Sequence, residues 1–157
     1  MRLYLVQHGL AKEESEDAAR PLSDQGREDI TRVAGFLSLF EKPKPANILH
    51  SGKLRAEQTA EMFAEAWGNT ATVEQAPGLA PKDDPTIWSS HLTSIQDDTM
   101  LVGHLPHMQR LAGLLITDDP DREAIHFRNG GVVCLEKCES DWSVLWQINP
   151  ALIYGED

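Results

Sequence analysis

The chain has 157 residues, 41% of them hydrophobic, with 25 acidic and 14 basic side chains for a formal net charge of −11. That length suits one compact domain over residues 1–157, and so acidic a surface repels nucleic acid and anionic membranes. No apolar run approaches the ~20 residues of a membrane span, and Gln7 and His8 interrupt the apolar N-terminal stretch too early for a secretion signal, so a cytoplasmic protein is expected.

Arg2-Leu3-Tyr4-Leu5-Val6 is rich in strand formers and too short for a helix, and Gln7-His8-Gly9 follows at once. This puts an imidazole at the C-terminal edge of a sheet, where open α/β folds bind ligands. Taken alone, it reads equally as a strand end with a polar cap. Glu13 to Ala19 is an acidic loop closed by Arg20-Pro21-Leu22-Ser23. Ser23 or Asp24 caps a helix with an apolar stripe at Ile30, Val33, Ala34, Leu37 and Phe40, ended by the Pro43 and Pro45 segment. Residues 46–51 read as a second strand. Gly52-Lys53 turns into a helix with stripe Ala56, Thr59, Ala60, Phe63 and Trp67, stopped by Gly68-Asn69. Residues 70–75 form a weak third strand, and 77–81 a loop.

Asp84-Pro85 starts a helix with stripe Trp88, Leu92 and Ile95. Thr99-Met100-Leu101-Val102 is a buried-type fourth strand that ends in Gly103-His104. Pro106 opens a helix with stripe Met108, Leu111, Ala112 and Leu115. Strands near 131–136 and 142–148 form a terminal hairpin. Cys134 and Cys138 are too far apart along one strand to bridge and read as two buried thiols. Alternating strands and helices predict an α/β fold: a mostly parallel sheet with helices on both faces and a C-terminal antiparallel hairpin.

Three strand ends carry polar groups able to meet at one edge: Gln7-His8-Gly9, Ser51 with Lys53 and Arg55, and Gly103-His104 before a helix. Helix N-termini attract anions, a guanidinium can hold two oxygens of a phosphate, and an imidazole can carry a phosphoryl group covalently. Each member has a plainer reading: Arg55 as a solvated charge, His104 as a satisfied strand end, His104 and His107 as metal ligands three apart. No carboxylate or cysteine motif accompanies those histidines, so no metal is expected.

Leu5-Val6-Gln7-His8-Gly9, the segment Ser51-Gly52-Lys53-Leu54-Arg55-Ala56-Glu57-Gln58-Thr59-Ala60, and Val102-Gly103-His104-Leu105-Pro106 together resemble the histidine phosphatase superfamily, of phosphoglycerate mutase-like fold. The most similar branch is the small bacterial phosphohistidine phosphatases of the SixA type, whose loop-to-helix passage Arg20-Pro21-Leu22-Ser23 with Gly26 also resembles. The resemblance implies that His8 takes the phosphoryl group, with Arg55 and a protonated His104 as its partners. Leu105 would lend a backbone N–H, and Ser51 and Gly9 would line the same edge. It implies a hydrolase without cofactor, a pocket that accepts inorganic phosphate or sulfate, and a phosphorylated histidine protein as partner, for instance a phosphotransfer domain.

Two departures stand out. Gln7 occupies the position where the family has arginine, leaving the pocket one charge short unless Arg20 supplies it. Residues 77–81 offer no carboxylate as general acid, although Asp83 and Asp84 lie just beyond. A phosphoramidate needs no strong protein acid, because its leaving nitrogen protonates readily. Two alternatives remain open: a phosphate-binding or phosphohistidine-binding module weakened by Gln7, and a phosphatase for small phosphoesters.

Overall fold

Strands and helices alternate along the computed structural model, which describes residues 1–154. In chain order they are β1 (Arg2–Gln7), α1 (Asp24–Phe40), β2 (Asn47–His50), α2 (Leu54–Ala66), β3 (Val73–Gln75) and α3 (Pro85–His91). After these come β4 (Thr99–Gly103), α4 (His107–Thr117), β5 (Val132–Cys138), β6 (Asp141–Ile148) and α5 (Pro150–Tyr154). One sheet runs in the order β3-β2-β4-β1-β5-β6. The first four strands in that order are parallel, β5 is antiparallel to β1, and β6 is antiparallel to β5. This is the expected architecture, a mostly parallel sheet with an antiparallel C-terminal pair.

Side-chain alternation along the central strands divides the core in two. Tyr4, Val6, Met100 and Val102 pack with Ile30 and Val33 of α1 and with Ala60 and Phe63 of α2. Leu3, Leu5 and Leu101 pack on the other face with Trp88, Met108 and Leu111. Burying each large apolar side chain contributes ~1.5–3 kcal/mol, so both faces of β1 and β4 hold their helices firmly. The helix starts follow local chemistry. Ser23 Oγ accepts the Gly26 N–H at 3.0 Å, and Asp84 Oδ1 accepts the Thr86 N–H at 2.9 Å with Pro85 opening α3.

Four expectations need correction. The third strand begins at Val73, because the Asn69 side chain bonds Pro45 O and the Ala71 N–H at 2.8 Å each and holds that stretch as a loop. Ile95 lies past α3, which ends at His91 and tightens into turns from Thr93 N–H to Ser90 O and from Ser94 N–H to His91 O, both 3.2 Å. Cys134 is buried but Cys138, beside the hairpin turn, is exposed; both are free thiols. Pro150–Tyr154 forms a helix the sequence reading lacked, and Tyr154 ties it to α1 by donating its hydroxyl to Asp29 Oδ1 at 2.7 Å. Among the described residues no helix is long and apolar enough to cross a membrane.

Candidate active site

The same alternation decides which polar side chains meet. Even-numbered residues of β1 and β4 face α1 and α2, so His8 and His104, one step beyond the strands, continue on that face. The strands are adjacent and parallel with Gln7 opposite Gly103, and the His8 N–H donates to Gly103 O at 3.0 Å. The two imidazoles lie with ring centroids 4.9 Å apart. Arg55, in the first turn of α2, points its Nε at His8 Nε2 at 3.4 Å. Ser51 Oγ sits 2.6 Å from His104 Nε2 and also accepts the Lys53 N–H at 3.3 Å. Gly52, at φ +91°, allows the sharp turn from β2 into α2.

Hydrogen bonds fix the state of His8. Its Nδ1 lies 2.7 Å from Gly9 O, an acceptor only, so Nδ1 carries the proton. Nε2 then presents a lone pair to Arg55. Burial, reinforced by the charges of Arg55 and Arg20, pulls the His8 pKa down to about 4 against the opposing pull of the Gly9 carbonyl. The ring is therefore neutral at pH 7, with the Nε2 lone pair unprotonated. His104 is driven lower still, to about 3, by burial first and then by His8, Arg55, Lys53 and His107. The Arg55 pKa is lowered by burial and by Arg20.

Arg20 thus reaches the site electrostatically. It is half-buried at φ +49°, and its Nε donates to Lys12 O at 3.0 Å. The loop that carries it is pinned by an Ala11–Leu22 bridge. Gln7, the last residue of β1, has its Oε1 buried without a hydrogen-bond partner. Gly9 has both backbone groups committed, its carbonyl to His8 and its N–H to Thr59 Oγ1 at 3.0 Å. A Cβ there would lie 2.6 Å from Ile30 Cδ1, so any larger residue would require the Ile30 side chain on α1 to shift. Leu105, half-buried between His104 and α4, donates its N–H to no protein acceptor among the described residues. Asp83 Oδ2 accepts the Ala80 N–H at 2.9 Å, and Asp84 caps α3. Both carboxylates hold backbone.

Sequence reading missed three contributors. Thr59, assigned to an apolar stripe, bridges Gly9, the residue after His8, to α2, since its Oγ1 also donates to Arg55 O at 2.7 Å. Asn129 Nδ2 donates to His8 O at 3.0 Å, and the Gly130 N–H bonds Gln7 O at 3.0 Å. The Asn-Gly-Gly turn before β5 was the available signal, because an antiparallel β5 must start beside the end of β1. His107 is the third, fully buried at the start of α4. Among the described residues no group of three or more His, Cys, Asp or Glu side chains is placed to hold a metal ion.

The two depressed histidines predict a pH response. Unfolded, each titrates near 6.5, and folded near 4 and 3. The unfolded chain binds more protons across that window, so the stability they contribute is full above about pH 6.5 and is lost as pH falls through about 4 and 3. Tm is expected to fall between pH 7 and 4.5, and less steeply in His104→Asn. Equal slopes in both proteins would refute the assignment.

The sequence profile of the histidine phosphatase superfamily (branch 1) matches residues 3–81. Phosphohistidine phosphatase SixA of Escherichia coli (strain K12) is 26% identical over 157 residues, covering 96% of this chain and 94% of that protein. A solved structure of the protein histidine phosphatase SixA complexed with tungstate superposes with a TM-score of 0.82 at 24% identity, over 97% of this chain and 99% of that one. A putative alpha-ribazole-5'-P phosphatase from Escherichia coli superposes at 0.75 with 16% identity, over 92% and 94% of the two chains.

Proposed function

The chain belongs to the histidine phosphatase superfamily, and from that premise we propose that it hydrolyses the phosphoryl group of a protein phosphohistidine through a phospho-His8 intermediate. The observation that carries the reading is the His8 ring itself, with Nδ1–H held by Gly9 O and the Nε2 lone pair facing Arg55. In the first step Nε2 attacks phosphorus, the P–N bond to the substrate imidazole breaks, and that leaving nitrogen takes a proton from water. In the second, water attacks phosphorus, the P–Nε2 bond breaks, and His8 returns neutral. Charge spread over the equatorial oxygens meets Arg55, Arg20, the Leu105 N–H and the N-termini of α2 and α4.

A phosphohistidine substrate suits a site whose nearby carboxylates are engaged in backbone bonds, because its leaving nitrogen accepts a proton readily. The name of the SixA relative supports the same choice. The test is exposure to a 32P-labelled phosphotransfer domain alongside a panel of small phosphomonoesters. Acid-labile, base-stable label on the chain with release of phosphate is expected. Turnover of the esters alone would replace the protein substrate with a small molecule, and binding without turnover would make the chain a recognition module.

Every donor in this mechanism is a side chain or a backbone N–H. Turnover is therefore expected to be unchanged after treatment with EDTA and dialysis. A large loss, restored by zinc or magnesium, would show that a divalent ion does the work assigned to Arg55 and Arg20.

A further inference from the structure

Five buried side-chain polar atoms among the described residues lack a hydrogen-bond partner, and four of them belong to three residues: Gln7 Oε1, His104 Nδ1 and both ring nitrogens of His107. All three lie at the ends of β1 and β4 or in the turn after β4, since Gln7 pairs with Gly103 in the sheet. Unpaired buried polar groups are destabilising and rare, so their concentration here calls for a function. His107 is 0% exposed. It opens α4 just after the turn that leaves β4 at His104, whose carbonyl accepts the Met108 N–H at 2.9 Å. Burial, with Arg110 of its own helix, lowers the His107 pKa against the weaker opposing pull of Asp83 and Asp84 from the segment leading into α3.

His104 faces His8 from β1, Ser51 from β2, Lys53 and Arg55 from the start of α2, and His107 from α4. To donate to a phosphoryl oxygen while carrying a positive charge, its ring must hold an N–H on both nitrogens. The Nδ1–H would then be a buried donor with nothing to receive it, which opposes the charged form. His107 holds a ring lone pair at the start of α4 and stays neutral, and the carboxylates facing it favour positive charge on its side of the site.

Resting on the phosphatase reading above, we propose that His107 is a positioning residue for His104, accepting through one bridging water the Nδ1–H that His104 gains when an oxyanion enters. The proton balance is simple. One proton passes from solvent to His104, no covalent bond between heavy atoms changes, and His107 stays neutral. His104 is then neutral in the empty site and cationic only beside a bound phosphoryl group. The empty site would hold less mutual repulsion among Arg55, Arg20 and Lys53 than a permanently charged imidazole would create.

Tungstate is the probe, a dianion near pH 7.5 that requires no turnover. Titration calorimetry in buffers of different ionisation enthalpy reads the protons taken up per anion bound. For the wild type, uptake approaching one proton is expected, and 15N spectra of the complex should show both His104 nitrogens protonated. His107→Leu should lose most of that uptake and bind tungstate ~10-fold more weakly, the equivalent of about one pKa unit. His107→Gln, which keeps an acceptor, should restore much of both. Two results overturn the proposal: no proton uptake by the wild type, or equal uptake by wild type and His107→Leu. If His107→Leu does not fold, His107→Gln and the wild-type 15N spectrum decide. In that case a wild-type His104 left neutral in the complex overturns the proposal. A chain that shows His107-dependent uptake but dephosphorylates nothing sinks the phosphatase reading alone; an active enzyme without such uptake sinks this proposal alone.

Discussion

His8→Ala is expected to abolish covalent labelling and to lower turnover by roughly 10^4-fold or more, because a nucleophile acts as a unit with its activating partners. The magnitude follows from geometry. Arg55 Nε and Gly9 O bracket the ring along the axis through its two nitrogens, at 3.4 and 2.7 Å. His104, the other imidazole, has its Nε2 on Ser51 Oγ at 2.6 Å. That nitrogen is engaged by a hydroxyl in the empty site and carries a proton in the proposed complex, so it presents no lone pair to phosphorus in place of His8. Tungstate affinity should fall far less than turnover, since the guanidinium groups remain. Stoichiometric labelling of the variant would move the nucleophile to His104 and reverse the two roles.

Arg55→Ala is the second large effect, with a loss of about 10^2–10^3 in kcat, the usual consequence of deleting one preorganised donor to a transition-state oxygen. Arg55→Lys should recover only part, because an ammonium cannot present the guanidinium fork. Arg20→Ala is expected to cost ~10-fold, since Arg20 acts from a loop and reaches His8 and Arg55 by charge. Gln7→Arg is expected to give no gain. The Gln7 side chain already buries its Oε1, so a longer charged side chain would be crowded there, while the charge of Arg20 already acts on His8 and Arg55. A tenfold rise in turnover for Gln7→Arg, with Arg20→Ala unchanged, would restore the view that the site is one charge short.

Much of this arrangement was legible in the residues. Strand faces were readable because Leu3, Tyr4, Leu5 and Val6 are apolar on both sides, as a covered central strand must be. The histidines were readable because each directly follows or lies one step past a strand end, where sheet geometry leaves little choice. Thr59 was not readable: its hydroxyl serves a backbone N–H fifty positions away, and nothing in a helical stripe separates that from core packing. His107 invited a metal reading because only the fold reveals what surrounds it. Arg20 was seen as a spare charge, but its proximity comes from the Ala11–Leu22 bridge, which leaves no periodic trace. Helix α5 escaped because five residues opening on a proline show no period.

The position of β1 between β4 and β5 has a consequence for the protein's birth. The strand bearing the nucleophile is the first to be synthesised, yet its hydrogen-bonded neighbours begin at Thr99 and Val132. At ~5–20 residues per second, His8 leaves the ribosome's active centre roughly ten seconds before the strand that completes its support exists. Until then the His8 backbone lacks both its Gly103 acceptor and its Asn129 donor, and the ring has no fixed direction. A nascent chain therefore carries every residue of the catalytic N-terminal motif without the ability to use it. A chain that ends before residue 132 lacks β5 and β6, and with them the whole antiparallel side of β1.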